Sequence, residues 1–170
     1  MKKHFFAGVM LLLGASFLSA GDTNTTATPF TGKIQKLAVK KALLDPAYDM
    51  PIDLKSKLLC EATLKNGKTA YFISPKSMMM VYLHQDYFKK HKLLEDDIQT
   101  LYVHDYLTGE KLEASKAVYV FGSRIVGPHG DDLIPVSSDT KAKIFETKYG
   151  GYKILPYTKI DQGLIRYLDM

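Results

Sequence analysis

The chain has 170 residues, 46% hydrophobic and 24% charged, with a formal net charge of +5 and one cysteine. That composition fits a globular protein with a core large enough to fold without cross-links. A single cysteine excludes an internal disulfide, a zinc ribbon, a four-cysteine iron–sulfur site and a Cys-x-x-Cys redox pair, and the mild, evenly spread positive charge argues against nucleic acid as a partner.

Residues 1–20 read as a secretory signal. Lys2 and Lys3 precede an apolar run from Phe5 to Leu18, and Leu18-Ser19-Ala20 places a small residue before Gly21. The run is too short to span a bilayer, and no cysteine follows it to carry a lipid. The expectation is export to a bacterial periplasm, with cleavage after Ala20 and no membrane span in the mature chain. Gly21 to Pro29 reads as a disordered leader. Ile34, Leu37, Ala38 and Lys41 fit a short amphipathic turn, and Asp45-Pro46 and Met50-Pro51 punctuate a loop. Residues 21–57 are thus assigned to a leader and loop segment.

A first hairpin–helix unit is expected over 58–97. Leu58, Cys60, Ala62 and Leu64 alternate with Leu59, Glu61, Thr63 and Lys65. Asn66-Gly67 supplies a tight turn, and Lys68 to Ile73 returns. Ser74 as cap and Pro75 at the first helical position open a helix to Gln85, followed by a charged loop, Asp86 to Asp97. The second unit, 98–170, has strands at Ile98–Tyr106, Leu112–Ala114, Lys116–Phe121 and Leu133–Val136. A helix capped by Ser137 or Ser138 runs to Tyr149, a C-terminal strand spans Tyr152–Tyr157, and a helical turn spans Gln162–Leu168. Strand, strand, serine cap, helix occurs at Leu58–Gln85 and again at Lys116–Tyr149. The expected fold class is α+β, two repeated ββα-type units sharing a core.

Leu64-Lys65-Asn66-Gly67-Lys68-Thr69-Ala70-Tyr71-Phe72, Met78-Met79, Tyr102-Val103-His104-Asp105-Tyr106, Ala117 to Ser123, Gly127-Pro128-His129-Gly130, Leu133-Ile134-Pro135 and Phe145 to Gly151 run in the order of the NosL family. The chain resembles that family from about Asp45 to Ile160. The resemblance implies a periplasmic copper(I)-binding accessory protein that helps assemble the copper centre of nitrous oxide reductase, or serves another periplasmic cuproprotein. It also implies a fold of paired ββα-type units. Where the family commonly carries Cys-Pro-x-Cys-Gly-Met, this chain has Asp45-Pro46-Ala47-Tyr48-Asp49-Met50, and the family's Gly-Pro-Met-Gly is here Gly127-Pro128-His129-Gly130. Thioether and imidazole are competent donors to soft copper(I), whereas Asp and Tyr oxygens suit harder ions. The expected metal ligands are therefore Met50 and His129, meeting across the two halves with a third donor unidentified. The alternative is a metal-free relative that kept the fold as a scaffold or protein-interaction module.

Other candidates read as structural. Cys60 lies in phase with the apolar face of its strand. Met78, Met79 and Met80 point about 100° apart and cannot converge on one ion. Met80 and His84, at i and i+4, form a weaker candidate pair. His104 and Asp105 face opposite sides of a strand, and His91 sits among lysines. Gly67-Lys68-Thr69 lacks the first glycine of a phosphate loop, and Gly122-Ser123-Arg124 lacks a nucleophile elbow. No catalytic activity is expected.

Overall fold

The computed structural model describes residues 43–170; the expected signal sequence, the leader and the amphipathic turn lie outside the described residues. The alternating run forms β1 (Cys60–Leu64), which pairs antiparallel with β2 (Thr69–Phe72) across the Asn66-Gly67 turn. Cys60, Ala62 and Leu64 are buried, and Glu61 and Thr63 are half-buried on the other face, as the period of two requires. β1 also pairs with β3 (Ile98–His104), and β3 pairs with β4 (Lys111–Glu113), giving a four-stranded sheet of order β2-β1-β3-β4.

Ser74 accepts a hydrogen bond from the Ser77 amide and opens α1 (Pro75–Leu83), with Pro75 at its first position. The helix ends earlier than its pattern suggests. His84 leaves helical geometry, and α2 (Gln85–Lys90) follows where a solvated loop was expected. One apolar residue accounts for it: Phe88 is buried in the core, with Asp86 and Lys89 paired one turn apart outside it. A charge-rich composition concealed that anchor.

In the second half, β5 (Val118–Phe121) is the centre of a three-stranded antiparallel sheet of order β6-β5-β7, with β6 (Leu133–Val136) and β7 (Lys153–Pro156). Residues Ala114–Lys116, expected to end one strand and begin the next, form a 3-10 turn. Ser138 caps α3 (Asp139–Tyr149), Gly150 follows it, and α4 (Gln162–Leu168) is capped by Asp161.

The two units do share a core. Adjacent residues of β5 enter different clusters: Tyr119 joins Cys60, Phe72, Met78, Met79, Val103 and Ile165 in the larger one, and Val120 joins Ile134, Val136, Ala142 and Phe145 under α3. The second sheet therefore has apolar packing on both faces, which is why all four residues of β6 are buried and show no alternation.

The duplication reaches further than the hairpins. β1 sits between β2 and β3 as β5 sits between β6 and β7, and an aspartate-centred loop occurs twice, ahead of β1 and in the turn between β3 and β4. Asp45 Oδ1 accepts the amides of Ala47 and Tyr48, while its backbone exchanges bonds with Asp49 and Met50. Asp105 Oδ1 accepts the amides of Leu107 and Thr108, while its backbone exchanges bonds with Gly109 and Glu110. Asp49 and Gly109 occupy the same place in the two loops, and both have left-handed φ, 54° and 75°. Glycine adopts that conformation freely, and aspartate is among the few side chains that tolerate it.

Candidate functional site at the first turn of α1

The N-terminal turn of a helix leaves amides without intrahelical partners. Here two loops distant in sequence supply the acceptors. Asp45 Oδ2 accepts from the Ile73 amide at 2.9 Å and from the Ser77 hydroxyl at 2.5 Å. Asp132 Oδ1 accepts from the Lys76 amide at 2.9 Å and from the Leu133 amide at 2.8 Å. The same helical turn thus pins the loop that carries Met50 and the loop that carries His129.

Lys76 adds a third tie. Its side chain is fully buried, an uncommon fate for lysine. Its ammonium donates to the His129 carbonyl at 2.5 Å and to the Leu168 carbonyl at 3.0 Å, lies 3.7 Å from Asp169 Oδ1, and sits 5.6 Å from the centre of the Tyr48 ring. Its charge also faces the Asp132 carboxylate. Gly127 closes the His129 loop by donating its amide to the Gly130 carbonyl. A Cβ on Gly127 would lie 2.6 Å from Asp132 Oδ2, so the loop packs this closely only with glycine there.

Asp132 is buried, and its Oδ2 makes no hydrogen bond with protein. Burial pushes its carboxyl up to about 6, against the opposing pull of the Ser74 hydroxyl, the Leu133 and Lys76 amides and the Lys76 charge.

With both loops held, their side chains meet. The Tyr48 and His129 rings stack at 3.9 Å between centroids, 16° from parallel. The Tyr48 hydroxyl donates to Asp169 Oδ1 at 2.6 Å, and His129 Nδ1 lies 3.6 Å from the same oxygen. Burial and the Asp169 hydrogen bond both raise the tyrosine pKa, so the phenol stays a donor. His129 is about half exposed and lines a cavity of roughly 390 Å³ with Lys76, Gly130, Asp131, Tyr167 and Asp169. Met50 is half-buried, two residues beyond Tyr48; its carbonyl accepts the Asp45 amide, which fixes the backbone of that turn.

Of the residues singled out from sequence, His129 lies against the Met50 loop through Tyr48. Cys60 is fully buried, its thiol pushed up by burial and donating to the Leu58 carbonyl. Met78 and Met79 are core residues and Met80 is partly open. His104 Nδ1 is 2.9 Å from the Leu59 carbonyl, and exposed His91 packs on Tyr87. Among the described residues no group of three or more His, Cys, Asp and Glu side chains is arranged to hold a metal ion, and no helix is long and apolar enough to cross a membrane. Sequence reasoning treated Asp45 and Tyr48 only as replacements for the family's cysteines, and it passed over Lys76, Asp132 and Asp169. Lys76 carried a weak signal, since it lies one helical turn before the buried Met79.

The NosL family model matches residues 40–165. The chain belongs to the NosL family. Among solved structures it is similar to the copper chaperone NosL from Shewanella denitrificans, with a TM-score of 0.55 and 22% identity, covering 69% of this chain and 88% of that one. Apo-NosL from Achromobacter cycloclastes matches with a TM-score of 0.43 and 20% identity, covering 62% and 87%. Comparison with curated proteins finds no match. The first likeness supports the α+β fold. Within this NosL protein, the two positions where the resemblance expects cysteine have separate uses: Asp45 is spent on the fold, and Tyr48 packs on His129.

Proposed function

We propose that this NosL protein is a periplasmic copper-binding chaperone that carries copper(I) between Met50 and His129 and hands it to a cuproprotein, with nitrous oxide reductase the client the family suggests. The stacking of Tyr48 on His129 carries the reading, because it puts the Met50 loop beside a half-exposed imidazole. Asp169 Oδ1 lies 3.6 Å from Nδ1, on the side from which a carboxylate orients a metal-binding histidine, and Nε2 is the nitrogen left to face the ion. A thioether and a neutral imidazole suit a soft monovalent ion, and a site with few donors releases its cargo readily. In this reading the chain carries the ion and performs no reaction on a substrate.

Copper(I) titration against a strong competing chelator tests it. One equivalent is expected to bind the wild type, and Met50→Ala with His129→Ala is expected to abolish that equivalent while the fold survives. Wild-type binding no tighter than that of a surface histidine would favour the metal-free scaffold. The full use of Asp45 in hydrogen bonds is the observation on that side.

A further inference from the structure

The site at the first turn of α1 leaves unused one methionine of that helix and the histidine that ends it. Met80 is the only partly open member of the methionine trio, and His84 is the residue at which α1 stops, four positions on. Both line a cavity of about 370 Å³ where the end of α1, α2 and α4 come together, walled by Phe88 and Ile165. His84 Nε2 lies 3.3 Å from the side-chain amide nitrogen of Gln162. The two groups are within hydrogen-bond reach of one another at the wall of that cavity. Arg166 also lines this cavity and has no ion-pair partner among the described residues. Its charge opposes a divalent ion more than a monovalent one. Asp169 lines both this cavity and the one beside His129.

The geometry points to a second copper(I) site, formed by Met80 and His84 and adjoining the first across Asp169. A thioether and a neutral imidazole in a largely apolar pocket match a soft monovalent ion and offer little to a hard one. Gln162 holds the imidazole nitrogen until the ion displaces it. The site shares with the proposed function only the premise that the chain handles copper(I), and its residues are distinct from Met50 and His129.

The experiment is an anaerobic copper(I) titration of the protein carrying ¹³C-labelled methionine methyl groups, followed by NMR. The Met80 methyl is expected to shift as a second equivalent binds, and zinc(II) is expected to leave it unmoved. His84→Ala should hold the Met80 signal still while the Met50 signal still responds, and Met80→Leu should remove the second equivalent without a core defect. Gln162→Ala should let the second step saturate at severalfold lower free copper. A Met80 methyl that stays fixed through two equivalents, or that shifts equally in His84→Ala, overturns the proposal. A Met80 response with a silent Met50 supports this site and overturns the first one.

Discussion

Replacing Lys76 with methionine keeps most of the aliphatic stem and deletes the ammonium that ties together the His129 loop, the end of α4 and the Tyr48–Asp169 pair. Hydrogen bonds from a charged donor contribute roughly 1.5–3 kcal/mol each, and the carbonyl oxygens they leave are partly or wholly shielded from water. Against two such bonds stands the cost of burying the ammonium, several kcal/mol, which the variant escapes. The buried Asp132 carboxyl, however, then loses the Lys76 charge and takes up a proton instead, which at pH 7 costs at most about 1.4 kcal/mol beyond its wild-type state, whose carboxyl is pushed up to about 6. A net destabilisation of about 2 kcal/mol at pH 7 follows, or roughly 6 °C in Tm for a domain of this size. The loss should narrow between pH 7 and pH 5, because Asp132, pushed up to about 6 in the wild type, takes a proton and no longer needs the cation. Urea unfolding at both pH values checks this, with copper(I) competition on the same samples expected to show about tenfold weaker binding as the His129 loop loosens. A loss below 1 kcal/mol at pH 7, together with unchanged copper affinity, would refute the role assigned to Lys76.

Asp132→Asn isolates the other half of that pair: Asn keeps an acceptor for the Lys76 and Leu133 amides and removes the titration. Since the folded state holds the Asp132 proton more tightly than the unfolded chain, the wild type is penalised only above the unfolded pKa of 3.8, fully so above about 6. The variant should gain on the wild type by about 3 kcal/mol between pH 4 and pH 7, and parallel stability curves would contradict this. Asp105 has the opposite sign. Burial pushes its carboxyl up, but hydrogen bonds from the Lys141 side chain and from Ser137 and Thr108 outweigh burial and hold it well below the usual range. Its contribution is present above about pH 4 and lost as the pH falls, so Asp105→Asn should destabilise at pH 7 and converge on the wild type in acid, as read by urea unfolding. Tyr48→Cys places a thiolate donor beside His129 and should tighten copper(I) binding at least a hundredfold by chelator competition. Asp45→Cys removes the acceptor of four hydrogen bonds and should cost roughly 3 kcal/mol or more in unfolding, without a comparable gain in affinity.

What could be read without coordinates was whatever the local chain enforces. The Asn66-Gly67 turn, the serine caps at Ser74 and Ser138, and the period-two burial of β1 need only neighbours in sequence, and they stand where they were expected. The sharing of a core between the two units follows from the same patterns. The site was harder, because Asp45, Asp132 and Lys76 look like ordinary surface residues until α1 gathers them. Nothing near Asp132 in sequence announces that its carboxylate will serve a helix that starts more than fifty residues earlier. The matching aspartate loops at 45 and 105 also escaped, since the repeat lies in hydrogen bonds that Asp49 and Gly109 support equally, with almost no shared side chains. Phe88 shows the reverse error, one apolar residue among charges deciding a helix.

The most direct measurement is X-ray absorption at the copper edge, on protein loaded with one equivalent of copper(I) in the presence of a strong chelator. If the two loops hold the ion together, the wild type shows one sulfur and imidazole nitrogen in the first shell. Met50→Ala then loses the sulfur scattering, and His129→Ala loses the imidazole pattern. A copper shell identical in all three proteins, or no retained copper in the wild type, would contradict a site built at the first turn of α1.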